Sequence, residues 1–166
     1  MKKLLFLAVI LSSVTFFACG GGSSSSSAPL SPKAFNDKAI NIFKGANKTM
    51  DTFDAKITAG IKSNDLASIT SASELASTEI NAQIENLNAL VAPQHGEEYK
   101  ASVAKTLETV KSIIETGKKY GELKEGYSKS EFNALEKEYN KKRKQLSNEL
   151  KDVAKAASVF TKATGK

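Results

Sequence analysis

PKAFNDKAINIFKGANKTMDTFDAKITAGIK, residues 32–62, decides the fold class. Its apolar residues fall at Phe35, Ala39, Phe43, Ala46, Met50, Phe53, Ile57 and Ile61, at steps of three and four. That spacing holds them all on one side of a 3.6-residue helix, whereas a half-buried strand would need strict alternation. Ser31 supplies a capping hydroxyl, and Pro32 a ring already set for the first helical turn. The stretch therefore predicts a helix over 32–62, about 46 Å long at 1.5 Å per residue.

The same rhythm continues toward the C-terminus. Ser63-Asn64-Asp65 reads as a stop and restart. A second segment follows with Leu66, Ile69, Ala72, Ala76, Ile80, Ile84, Leu87 and Val91 on its stripe, and Pro93 closes it. Its other faces are rich in Ser, Thr, Ala and Asn, which suits either a close-packed helix or a partner-facing surface. Gly96-Glu97-Glu98 opens a third segment, with acids where the helix dipole favours them. Tyr99, Val103, Leu107, Val110 and Ile114 form its stripe, to about Lys118. Residues 117–128 hold Gly117, Gly121 and Gly126 and read as a loop or a frayed continuation. Ser128-Lys129-Ser130-Glu131 has capping-box form. The fourth segment runs to about 163 with Phe132, Leu135, Tyr139, Leu146, Leu150, Val153, Ala157 and Phe160 facing inward.

None of the four stripes can be buried by its own helix, and the connections are mostly short. The expected fold is all-α, an antiparallel up-and-down four-helix bundle, with three long helices and a broken third as the nearest variant. The palette of Ala, Lys, Glu, Leu, Ser and Asn, with no Trp and only three Pro, suits that reading.

Toward the N-terminus the character changes. Met1-Lys2-Lys3 precedes an apolar run from Leu4 to Phe17, too short to span a bilayer comfortably and flanked as an export signal is. Phe16-Phe17-Ala18-Cys19 then resembles the lipobox of bacterial lipoproteins, with Phe16 where Leu is usual. The resemblance implies cleavage before Cys19, acylation of its thiol and anchorage to a membrane. Cys19 is the single cysteine, so no disulfide accounts for it. Residues 20–31, GGGSSSSSAPLS, read as a flexible tether with a root-mean-square reach of about 17–21 Å. The expected organisation is a signal peptide over 1–18, lipidated Cys19 and tether over 19–31, and a bundle domain over 32–166. Gly20, in place of the acid that retains enteric lipoproteins in the inner membrane, points by the same resemblance to the outer membrane.

Phe35-Asn36-Asp37 and Gly96-Glu97-Glu98-Tyr99-Lys100 resemble paired motifs of a family of exported all-helical lipoproteins of unknown function. The likeness spans about 32–163 and implies fold and placement without an activity. Asn36, Asp37 and Glu97 are then either a shared surface site or helix-start residues in local capping work.

Charge is unevenly placed. Residues 19–117 carry nine Lys against eleven acids, whereas residues 118–166 carry thirteen Lys and Arg against seven. Export removes the chain from nucleic acid, so the basic part suits an anionic lipid, a polysaccharide or an envelope protein. The candidate anionic-surface residues are Lys137, Lys141, Lys142, Arg143, Lys144, Lys151 and Lys155, extended by Lys162. They lie mostly opposite the inner face, although the inner line also crosses position 142 or 143. A solubilising face is the plainer reading of the same residues.

Catalytic patterns are lacking. The single histidine, His95, serves neither a Glu-x-x-His bundle centre nor a zincin. The chain shows neither a Gly-x-Ser-x-Gly elbow nor a phosphate-binding Gly-Lys-Ser/Thr loop. Asp51 and Asp54 lack the neighbours of an EF-hand loop. The expectation is a non-enzymatic, membrane-anchored binding or adaptor module without cofactor or metal. The alternative is a carrier of a small apolar ligand held between helices.

Overall fold

The computed structural model describes residues 28–165. The leader, Cys19 and most of the tether lie outside them. Four helices follow in order: α1 (Pro32–Ser63), α2 (Leu66–Asn88), α3 (Glu97–Gly121) and α4 (Lys129–Ala163). They run up and down in alternation, and the expected four-helix bundle is what forms.

Local chemistry sets the ends. The Ser31 side chain accepts from the Ala34 N–H, and Pro32 occupies the first turn. Asn64 ends α1 in the left-handed region at φ 54°, a conformation that Asn tolerates better than most residues. One residue on, Asp65 caps α2 by accepting from Ser68 N–H. At the start of α4 the capping box is complete: Ser128 Oγ accepts from Glu131 N–H, and the Glu131 carboxylate accepts from Ser128 N–H at 2.7 Å.

Two boundaries differ from the sequence reading. α2 stops at Asn88, and Leu90, Ala92 and Pro93 are buried in the connection instead of continuing the helix. The Lys100 ammonium stabilises that stop, donating to the carbonyls of Leu90 at 2.5 Å and Asn88 at 3.3 Å. Of the stretch 117–128, expected as a loop or a frayed continuation, α3 takes the part to Gly121 and 122–128 is turn and coil, so Gly117 and Gly121 lie within the helix. They are packing positions. A Cβ on Gly117 would stand 2.6 Å from Phe53 Cζ, and one on Gly121 would stand 2.8 Å from the Thr70 backbone nitrogen.

Those close approaches put α3 in the middle. It packs against α1, α2 and α4, whereas α4 packs principally on α3. Val103, Leu107, Val110, Ile113 and Ile114 are almost wholly buried there. On α1 the buried line is Phe35, Ala39, Ile42, Ala46, Met50, Phe53 and Ile57. Ile42 is inside and Phe43 only half-buried, a slight rotation from the expected stripe. At one end, Phe35, Tyr99 and Phe160 join α1, α3 and α4 with ring centroids 5.5–5.9 Å apart. Phe35-Asn36-Asp37 and the Gly96–Lys100 stretch thus meet through their aromatic residues. Asp37 pairs with Lys33 on the surface at 2.7 Å, while Asn36 is half-buried and Glu97 exposed in the first turn of α3.

The chain enters the bundle at this same end. Leu30 N–H donates to the Val91 carbonyl at 3.3 Å, tying the segment before α1 to the α2–α3 connection. At the opposite end, Tyr120, Tyr127, Phe132 and Tyr139 cluster where α3 gives way to α4.

Candidate functional site: the two faces of α4

Read at steps of three and four, the inner seam of α4 is Phe132, Leu135, Tyr139, Lys142, Leu146, Glu149, Val153, Ala156 and Phe160. Two charges interrupt it, and each finds partners on α3. Lys142 donates to Ser112 Oγ at 2.7 Å and lies 3.5 Å from Glu138. Glu138 also takes Lys119 at 3.2 Å and Thr116 Oγ1 at 3.3 Å. The hydrogen bond from Lys119, ahead of the charges of Lys119 and Lys142, holds the Glu138 carboxyl below its ordinary pKa. One turn further along, Gln145 Nε2 bridges Thr109 Oγ1 at 3.3 Å and Glu149 Oε1 at 3.0 Å. A polar ladder thus runs along an α3–α4 joint whose seam is otherwise apolar, and a polar group on such a seam is a register device.

A second polar tie joins α4 to α1. Asp54 accepts a hydrogen bond from the Tyr139 hydroxyl and pairs with Arg143 at 2.8 Å. Burial, followed by the bonded Asp54 carboxylate, drives the Tyr139 hydroxyl far above the ordinary tyrosine pKa. Tyr120, desolvated and facing Glu136 and Glu138, is pushed up to about 12.

The seven candidate basic residues therefore divide. Lys142 and Arg143 are half-buried and engaged within the bundle, so they are not free outward cations. Lys137, Lys141, Lys144, Lys151 and Lys155 are exposed, with Lys162 continuing their line. Among the described residues none of these six has a carboxylate within 4.0 Å. At 100° per residue they fall within an arc of about 80°, and they span about 37 Å along the axis. This is one continuous lysine ridge facing solvent. α2 is its electrostatic counterpart: it carries Glu74, Glu79 and Glu85 and no basic residue. α2 packs on α1 and α3, whereas α4 packs principally on α3.

The spaces between helices are surface grooves. One of about 390 Å³ lies between α1 and α2, with Phe53, Ala72, Leu75 and Ala76 among its lining and Thr49 hydrogen-bonded to Glu79 at its edge. Leu75 is 70% exposed there. Another of about 430 Å³ lies near Lys38, Ile42 and Leu90. Between α3 and α4 are two polar grooves of about 280 and 220 Å³ that share Lys105 and Glu149. His95 is exposed in the α2–α3 connection at φ 65°. Among the described residues, no group of three or more His, Cys, Asp or Glu side chains is placed to hold a metal ion. No described helix is long and apolar enough to cross a membrane.

Family models, curated proteins and solved structures were each compared with the chain, and none matches.

The seam was partly visible in the sequence as a cation on the inner line at 142 or 143. Apolar spacing alone does not reveal Glu149, although the register 146, 149, 153, 156, 160 places an acid on that seam. Counting every charged residue along the inner register, rather than only the apolar ones, is the signal that finds it.

Proposed function

We propose that the chain is a lipid-anchored envelope lipoprotein whose bundle is a non-catalytic binding or adaptor module, engaging a protein or an anionic surface through the lysine ridge of α4. The observation that carries this reading is the ridge itself. Six lysines share one solvent-facing strip without acidic partners, while the two cations pointing toward the bundle are neutralised by Glu138 and Asp54. Each Lys near a negatively charged membrane surface contributes about 1 kcal/mol to attraction. An acyl chain on Cys19 would add the second signal that stable membrane attachment needs. Tethered by about a dozen residues, the ridge reaches the headgroup layer of the membrane that holds the anchor.

The test is cosedimentation with vesicles containing phosphatidylglycerol. The triple variant Lys141→Glu, Lys144→Glu, Lys151→Glu in an unlipidated chain should lose most of the binding seen at low salt. The parent's own binding should fall steeply with added salt, since exposed charges are screened within about 8 Å at physiological ionic strength. Equal retention of parent and variant would remove the ridge from the account.

The second reading, a carrier of a small apolar ligand, finds its best support in the groove between α1 and α2. Its volume of about 390 Å³ lies within the range of small-molecule sites, and its floor is formed by Phe53, Ala72 and Ala76.

A further inference from the structure

The polar ladder between α3 and α4 leaves one atom unaccounted for. Glu149 is 3% exposed and lies on the inner register of α4. Its Oε1 accepts from Gln145 and sits 3.6 Å from the Lys105 ammonium, but Oε2 has no partner in the protein. Buried polar groups are nearly always satisfied, and a carboxylate oxygen is among the most costly to leave bare. Placement adds to this. Glu149 lines both polar grooves of the α3–α4 joint, and the larger one also carries Glu98, Asp152, Ser102 and Lys155. Lys105 lines both grooves and is 66% exposed in its side chain. Oε2 is itself closed to solvent, so a ligand reaches it only when a neighbouring side chain such as that of Lys105 swings aside.

We infer that the Glu149 carboxylate anchors a binding site for a small organic cation carrying a primary ammonium group. The chemistry follows from the groups present. An anion would be repelled by an acceptor that already lacks a donor, and an apolar group would leave Oε2 unsatisfied. An ammonium brings three N–H donors and a compensating charge. Glu98 and Asp152 stand at the groove to receive the remaining donors or a second amine. Lys105 and Lys155 are the opposing charges that the ligand must displace or avoid, which favours a slender alkyl amine over a bulky one. The volume of about 280 Å³ sets the same limit.

Putrescine is the probe. Titration of the ¹⁵N-labelled full chain in detergent micelles should give saturable amide shifts centred on Ser102, Lys105, Glu149 and Asp152, with a Kd on the order of 1 mM or tighter. Glu149→Gln preserves shape and should weaken binding by about tenfold, as expected from losing a charge-assisted hydrogen bond. Tetramethylammonium has the charge without N–H donors and should give no comparable shifts. Amide dispersion reports folding in the same spectra. If Glu149→Gln does not fold, Ser102→Phe, which fills the groove from its α3 wall, should abolish the shifts instead. Failure to saturate by about 10 mM, equal binding by Glu149→Gln, or an equal response to tetramethylammonium would overturn the site. No ridge lysine is substituted in these variants. The vesicle experiment reverses Lys141, Lys144 and Lys151, none of which lines the larger groove, so the two tests stay independent although Lys155 borders both ridge and groove.

Discussion

α3 and α4 are neighbours with opposite economies. α3 buries eleven of its 25 residues, most of them aliphatic or aromatic, and touches every other helix. α4 is longer, at 35 residues, yet buries five, all between Leu146 and Phe160. From Lys129 to Gln145 no α4 residue is fully buried, and the helix is held there by half-buried aromatics, Lys142, Arg143 and a capping box. Burial of apolar surface drives folding, while exposed ion pairs add little. The comparison teaches that α3 carries the stability of the bundle. α4 is held more lightly, and its outer face is where six unpaired lysines accumulate.

The largest expected effect sits on the α3 side. Leu107→Ala should cost about 2–5 kcal/mol, because its site is enclosed on all sides and cannot collapse. Leu135→Ala, at a half-buried position of α4, should cost less, about 1–2 kcal/mol, since its site borders solvent and is only partly enclosed. Urea denaturation of the two variants checks this; equal losses would erase the distinction between the helices.

Gly117→Ala is expected to come next, costing about 1–3 kcal/mol as the added methyl meets the Phe53 ring and forces α1 and α3 apart. A thermal melt that left the midpoint unchanged would mean that the helices can separate there without loss.

A further effect is one of pH. Tyr120 and Tyr139 have folded pKa values above the unfolded value of about 10. The folded state therefore holds protons that the unfolded chain releases. Stability from these hydroxyls is complete below pH 10 and is lost as pH rises toward 12 and beyond. Denaturation midpoints measured from pH 9 to 12 should fall, and should fall less steeply in a Tyr120→Phe, Tyr139→Phe double variant.

The sequence showed α1 and α3 most clearly because their stripes are almost purely apolar and spaced at three and four residues. Val103, Leu107, Val110 and Ile114 are all buried where the spacing puts them. The end of α3 was less legible. Gly117 and Gly121 read by propensity as loop or frayed helix, whereas tertiary packing uses their missing side chains to bring α1 and α2 close to α3. α4 was legible as a helix and misleading as a stripe. Phe132, Leu135 and Tyr139 share the inner register but lie beside the last turns of α3, near the bundle's end, and are only half-buried. The lysine ridge could be read from spacing alone. Its division into outward and inward cations could not, because the partners of Lys142 and Arg143, Ser112 and Asp54, are 30 and 89 residues away.

Native-state hydrogen exchange tests this division of labour most directly. Amides of Leu107–Ile114 in α3 should exchange only through global unfolding, with protection falling one-for-one with added denaturant. Those of Phe132–Gln145 in α4 should open at distinctly lower free energy and respond weakly to denaturant. Identical protection and identical denaturant dependence along both helices would contradict the account.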